Sequence, residues 1–276
     1  MDIKKYEFAE NIIDTSLFAA DELTFSVLIG IVNAKSTLVV TDHRRFVICY
    51  SCAPHPVWIW TADDITAMEK EQIWQICQAE HLLPSAEGTI TGINMKYSLA
   101  EYFNSKNPAY GIAMELLVYE CFRTIPPVKQ VDGVLAEVRL QDVEEVAEFM
   151  YRFHQETGVD QTDHESCRKQ AQTVVGKTTF HLWRNALGEN VAMCSGKPAG
   201  EFGKVAYVYC KPEERRKGYV QQMVYQVTKK LLAQGLRPIL YTDGNYAASN
   251  GCYKKVGYEQ QGGLCTVGMT NTLKEG

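Results

Sequence analysis

Residues 205–220 read VAYVYCKPEERRKGYV, and this stretch decides the fold. An apolar run rich in valine and tyrosine ends at Cys210 and reads as a strand. The turn KPEERRK follows, with four cationic and two anionic side chains, and a helix opens around Gly218. A helix N-terminus carries backbone N–H groups without intrahelical acceptors, together with the positive end of the macrodipole. Gly218 lets the backbone approach a ligand with no Cβ in the way. Arg215, Arg216 and Lys217 surround those donors with charge. The combination describes a cradle for phosphate or pyrophosphate. Taken without its surroundings, the same string is also a solvated turn that begins a surface helix.

The surroundings are those of a mixed α/β unit. Downstream, Val220, Met223, Val224, Val227, Leu231 and Leu232 recur at helical spacing over residues 219–234, and Gly235 sits where a left-handed cap is expected. Then come the strand PILYT (238–242), a short helix ending at Gly257, and closing strand material. Upstream, VLAEVRL (134–140) reads as a strand. A helix over 141–156 follows, with Val143, Val146, Ala147, Met150 and Phe153 facing one way. A further helix before residue 180 is left open. FHLWRN (180–185), ENVAMCSGK (189–197) and KVAYVYC (204–210) are three more strands.

In this setting residues 215–220 resemble motif A of the GCN5-related N-acetyltransferases, R/Q-x-x-G-x-G/A, with Arg215, Gly218 and Val220 at its three positions; Val220 departs from the usual small residue. The segment TDGNYAASNGCYKKVGYE (242–259) resembles motif B, with Ser249, Asn250, Tyr253 and the pair Gly257-Tyr258. The Asn common seven residues before the tyrosine is displaced, since that place is Tyr246 and Asn245 precedes it. The two motifs occur in order, joined by one helix and one strand. The resemblance covers about residues 130 to 270.

The resemblance implies an acetyl-CoA-dependent transferase. Residues 207–210 would splay from the neighbouring strand, with Val208 and Cys210 pairing the amides of the pantetheine arm. A backbone N–H near Tyr209 would polarise the thioester. Arg215, Arg216, Lys217, Gly218, Tyr219 and Val220 would hold the pyrophosphate, with Ser249 and Asn250 completing the cofactor site. Tyr253 would protonate the departing thiolate; its structural alternative is an aromatic packing a short helix onto the sheet. No base for the attacking amine stands out. Glu137, Glu156, Glu201, His154 and His181 lie in the same half, and a water chain would serve as well.

The first half has no such loop. TLVVT and RFVICYSC are strand-like, Pro54 and Pro56 interrupt before VWIW, and residues 64–82 look helical through Ile65, Met68, Ile73, Ile76 and Cys77. A second helix covers about 99–103, and residues 111–122 form an apolar run of either type. Trp58 and Trp60 alternate with Ile59, one side core and the other core or an aromatic wall for substrate. Ile125-Pro126-Pro127-Val128 interrupts the pattern, since two prolines neither continue a helix nor donate to a ladder. The expected division is therefore a domain over 1–127 and a catalytic domain over 128–276. The first half resembles the degenerate N-terminal unit of two-domain bacterial acetyltransferases, which would cover the substrate cleft or mediate dimerisation.

Composition sets the outer limits. The chain has 276 residues, 46% apolar and 22% charged, with net charge −5, which gives no global reason to expect nucleic acid or an anionic membrane surface. The apolar stretch 23–32 falls far short of the roughly 20 residues that cross a bilayer, and residues 1–10 lack a signal-peptide core. Nine scattered cysteines suit reduced thiols in a cytoplasmic protein. The Cys49–Cys52 spacing has no second pair to complete a zinc site, so no metal is expected. The expected partners are acetyl-CoA and a small primary amine, on a monomer or homodimer. The competing class is an acyl-CoA-binding sensor or scaffold with little turnover.

Overall fold

A computed structural model describes residues 4–5, 12–34, 37–85, 88–158 and 162–270. It divides into two compact units. One holds the described residues up to Val118, Asp243–Asn245 and those from Gln261 onward; the other holds Tyr119–Thr242 and Tyr246–Gln260. In chain order the elements begin with β1 (Lys4–Lys5), α1 (Ser16–Ala19), α2 (Ser26–Val32), β2 (Leu38–Thr41), β3 (Phe46–Tyr50) and β4 (Val57–Thr61). They continue with α3 (Ala67–Ala79), β5 (Ile93–Met95), α4 (Tyr97–Lys106) and β6 (Tyr110–Cys121). Then follow β7 (Val134–Glu137), α5 (Val143–Thr157), α6 (His164–Thr173), β8 (Phe180–Arg184), β9 (Asn190–Ala199) and β10 (Phe202–Cys210). The chain closes with α7 (Tyr219–Ala233), β11 (Arg237–Asp243), α8 (Ala247–Val256) and β12 (Tyr258–Met269). The class is mixed α/β, as the sequence predicts.

In the first unit β1 to β4 pair antiparallel in sequence order, and β5 lies parallel to β4 through Val57↔Ile93. The later part of β12 pairs antiparallel to β5, Cys265↔Met95. The parallel pair requires a crossover, which α3 supplies. Thr66 starts that helix with a capping box, its hydroxyl accepting from Glu69 N while the Glu69 carboxylate accepts from Thr66 N. Its buried stripe is Ile73, Trp74 and Cys77. Met68, expected on that face, is 82% exposed, because five residues from Ile73 turn it about 140° around the helix.

The aromatic-wall alternative for β4 does not hold, since all five residues are buried. Trp60 packs against Phe18 and donates to Asp21 Oδ2, and Trp58 meets Phe25 edge-on. Both faces of the strand are core. The ambiguous run 111–122 is a strand, and the short helix expected near 99–103 extends to ten residues.

In the second unit β7, β8, β9 and β10 form an antiparallel meander, and β11 pairs parallel to β10. Helices α5 and α6 bury Val146, Phe149, Met150 and Cys167 with Leu182 and Met193. Phe153, expected on the buried stripe of α5, is only partly buried. The strand expected over 134–140 stops at Glu137, and a 3-10 turn at Leu140–Asp142 delays α5 to Val143. Helix α7 packs against β9 and β10. Gly196 and Gly203 permit that approach: a Cβ there would meet Val227 Cγ1 at 2.4 Å and Leu231 at 3.0 Å. The helix ends as predicted. Gly235 is left-handed, and its N–H and that of Leu236 return to the carbonyls of Leu232 and Leu231.

Candidate active site

The site is built where β10 bulges against β9 and runs past the end of its pairing with β11. Pairing of β10 with β9 runs in register from Phe202↔Ala199 to Ala206↔Ser195 and then resumes one residue later, Tyr209↔Met193. One residue is therefore extra, a bulge centred on Tyr207, whose φ is +53°. A bulky residue is uncommon in that region and has to be held there. The ring of Tyr207 lies among Phe153, His154 and Phe180, and its Oη accepts from Gln170 Nε2 at 2.6 Å. On the other side, the parallel register with β11 covers only Phe202↔Arg237, Gly203↔Pro238 and Lys204↔Ile239. Residues 205–210 run on past the end of that ladder, with Val208 partly and Cys210 fully buried. Burial pushes the Cys210 thiol up to about 11.

Beyond Cys210 a 3-10 turn at Pro212–Glu214 leads to Arg216, φ +64°, and Gly218, φ +101°, which caps α7. The first intrahelical bond of α7 is Gln222 N–H to Gly218 C=O at 3.1 Å. The N–H groups of residues 218–221 therefore have no intrahelical acceptor, and they stand at the positive end of a 15-residue helix. A side chain at Gly218 would be strained by its φ and would bring a Cβ to 3.0 Å from Val131 Cγ1.

The cations of the loop divide. Arg215 donates through Nε to Cys210 O at 3.1 Å and through Nη2 to both oxygens of Glu156, at 2.6 and 2.7 Å. It ties the end of β10 to α5. Lys217 pairs with Glu214 at 2.9 Å. Arg216 is exposed, with no ion-pair partner among the described residues. Tyr219 donates to Asp132 Oδ1 at 2.8 Å, and that bond with burial pushes its phenol up to about 12. Val220 is partly buried in the first turn of α7.

Helix α8 supplies the remaining residues. Tyr246 stands at its N-cap position and is exposed. Asn250 and Tyr253 are buried. The Tyr253 hydroxyl hydrogen-bonds Ser249, and its ring meets Tyr258 edge-on at 6.2 Å. Burial, with Cys252 and Cys194 nearby, raises the phenol above its usual range, so it keeps its proton.

Among the candidate bases, Glu156 is engaged with Arg215. Glu201 holds Arg237 at the opposite end of β10 from Cys210. Glu137 is exposed on β7, paired across to His181. His181 is buried and pushed down to about 4, chiefly by burial and then by Lys230. His154 is buried edge-on to Tyr207. Lys204, at the last β10–β11 pair, was not expected; burial and Lys197 push its ammonium down to about 8. The bulge at Tyr207 was missed too, since nothing in the residue type announces a left-handed tyrosine.

Cys49 is buried and its thiol held high by burial, whereas Cys52 is exposed. Among the described residues no three His, Cys, Asp or Glu side chains gather as a metal site, and no helix is long and apolar enough to cross a membrane.

Residues 182–266 match the family described as FR47-like protein. No curated protein matches in sequence. Among solved structures, the chain is similar to a GCN5-related N-acetyltransferase from Sphaerobacter thermophilus, with TM-score 0.66 and 15% identity over 94% of this chain and 93% of that one. It is also similar to one from Kribbella flavida, with TM-score 0.60 and 16% identity over 93% and 97%. A GNAT-family acetyltransferase from Colwellia psychrerythraea gives TM-score 0.60 and 11% identity over 98% and 100%. At these identities the likeness is one of fold.

Proposed function

We propose that this chain, with an FR47-like segment over residues 182–266 and the fold of GCN5-related N-acetyltransferases, works as one of them and transfers an acetyl group from acetyl-CoA to a primary amine of a small molecule. The parting of β10 from β11 beside the α7 N-terminus carries the reading. It supplies what an extended thioester with a pyrophosphate requires: a strand edge beyond the end of the β10–β11 ladder, followed by free helical N–H groups. The residues fit that group. The backbone of Val208, Tyr209 and Cys210 lines the pantetheine arm, and the N–H groups of 218–221 with Arg216 receive the pyrophosphate. Arg215 acts through the clasp that sets the loop, and Ser249 and Asn250 complete the cofactor side.

In the reaction the neutral amine forms a C–N bond to the thioester carbon, the C–S bond breaks, the nitrogen gives a proton to water, and the sulfur takes one up. Tyr253 is the donor to that sulfur. A phenol ordinarily titrates near 10 and a thiol near 8.5, and burial widens that gap. Tyr253 therefore serves first as a hydrogen bond that strengthens as charge grows on sulfur, and as the acid when the thiolate leaves. Its packing against Tyr258 favours a second reading, a CoA-binding sensor with little turnover.

Two variants separate these. Gly218→Asp places a carboxylate and a strained φ in the cradle and should weaken acetyl-CoA binding at least tenfold by calorimetry. Tyr253→Phe should keep that affinity and lower kcat by about 10²-fold in a free-thiol assay. Unchanged affinity in the first variant would overturn the site. Unchanged turnover in the second would remove the role of Tyr253, and no turnover of any amine by the parent protein would favour the sensor.

A further inference from the structure

Ladders flank β10 on both sides, and Tyr207 and Val208 stand on a rung of neither. The pairing with β9 halts at Ala206 and resumes at Tyr209, and the pairing with β11 has ended at Lys204. Both ends of the gap are fixed. Before it, Ser195 Oγ donates to Ala206 O at 3.1 Å; after it, the ring of Tyr209 packs on Phe149 with centroids 5.3 Å apart. A bulge with a left-handed residue ordinarily has glycine in that place, whereas this one has a tyrosine at φ +53°. Three elements grip its side chain: α5 through Phe153 and His154, β8 through Phe180, and α6 through Gln170.

The grip from α6 is polar, on a helix that buries little. Of its ten residues only Cys167 and Ala171 are buried, yet Gln170 turns inward, partly buried, and its Nε2 donates to Tyr207 Oη at 2.6 Å. Stability alone does not ask for such a pair, since replacing both partners by apolar groups of the same shape is close to neutral. What a hydrogen bond adds to an aromatic cage is a set distance and direction. A ring held in that way holds its own Cα, and with it the peptide groups on either side.

We propose that Gln170 and Tyr207 are positioning residues, which together aim the backbone N–H groups of the bulge at the thioester carbonyl of bound acetyl-CoA. The inference rests on the acetyl-CoA site proposed above, which lays the pantetheine arm and its thioester along the end of β10. Donors for a developing oxyanion act by being aimed before the reaction begins. Gln170 acts only through Tyr207.

Isotope-edited infrared spectra of acetyl-CoA labelled at the carbonyl carbon test it, and no acceptor amine is needed. The carbonyl bound to the parent protein should absorb at lower wavenumber than the carbonyl bound to Tyr207→Phe or Gln170→Leu, because polarisation weakens the C=O bond. The double variant should match the single ones, since each breaks the same bond. Calorimetry with CoA, which lacks the carbonyl, should give the same Kd for the parent and every variant, and unchanged melting temperatures show that the folds are kept. A band that neither variant moves would overturn the inference while acetyl transfer stood. So would a loss of CoA affinity as large as that for acetyl-CoA, which marks a purely structural role. Band shifts that add in the double variant would overturn the pairing of the two residues. Shifts as expected, without turnover of any amine by the parent protein, would uphold the clasp in a CoA-binding sensor and overturn the transfer reading. No binding of acetyl-CoA by the parent protein would overturn both.

Discussion

His181 stands on β8 with 4% of its surface exposed, and its imidazole titrates near 4 because a charge there would be desolvated beside Lys230. In the unfolded chain the same group titrates near 6.5. Between those values the unfolded state binds a proton that the folded state refuses, so stability falls as pH drops through this window. Above 6.5 the contribution is complete and constant. The loss attributable to this group reaches about 2 kcal/mol at pH 5. Urea unfolding at pH 7.5 and pH 5 should show a smaller drop in His181→Gln than in the parent, and equal drops would mean that the histidine charges while folded. Single residues also mark the limit of legibility. Gly218 was readable from its place between a strand and a helix, where a left-handed backbone is wanted and found, whereas Tyr253 was marked only by the resemblance. The left-handed Tyr207 was not readable, because four side chains distant in sequence hold it there. Arg215 could be read as a cation, but not as one already committed to Glu156.

At the scale of elements, β6 and β11 are tied by Arg237, which donates to Glu120 through Nε at 2.7 Å and Nη2 at 3.0 Å and to Glu201 at 3.1 Å. The partners are unequal: the Glu120 side chain is 4% exposed and that of Arg237 is 42%. Arg237→Ala strands a buried carboxylate and should cost about 3 kcal/mol. Glu120→Ala leaves a half-exposed guanidinium that keeps Glu201 and should cost about 1–2 kcal/mol. Chemical denaturation orders the two, and a reversed order would mean that the carboxylate reaches water. Elements with a clear period, α5 and α7, were legible to within two residues at each end. The run 111–122 was not, since an apolar stretch buried along part of its length carries no period to separate helix from strand. The parting of β10 from β11 was legible only through the resemblance, for it depends on where a ladder stops rather than on which residues compose it.

At the scale of the molecule, the sequence strand–helix–strand–helix–strand occurs twice, as β4-α3-β5-α4-β6 and as β10-α7-β11-α8-β12, each opening on a parallel pair. The halves differ where chemistry enters, because the link from β4 to α3 has neither the left-handed glycine nor the cations of residues 211–218. The later part of β12 belongs to the first unit, where Cys265 and Val267 lie in its core and pair with Met95 and Ile93. Removing residues from 261 onward should therefore destabilise the first unit, by roughly 1.5–3 kcal/mol for each buried side chain lost. Hydrogen exchange would report this as lost protection in β5; unchanged protection would show that the strand contributes nothing there. That return has a consequence in time. A ribosome delivers residues 1–118 long before residue 261, so the first unit must wait, one strand short and with the edge of β5 uncovered, through the synthesis of everything between. The half without the loop is begun first and finished last.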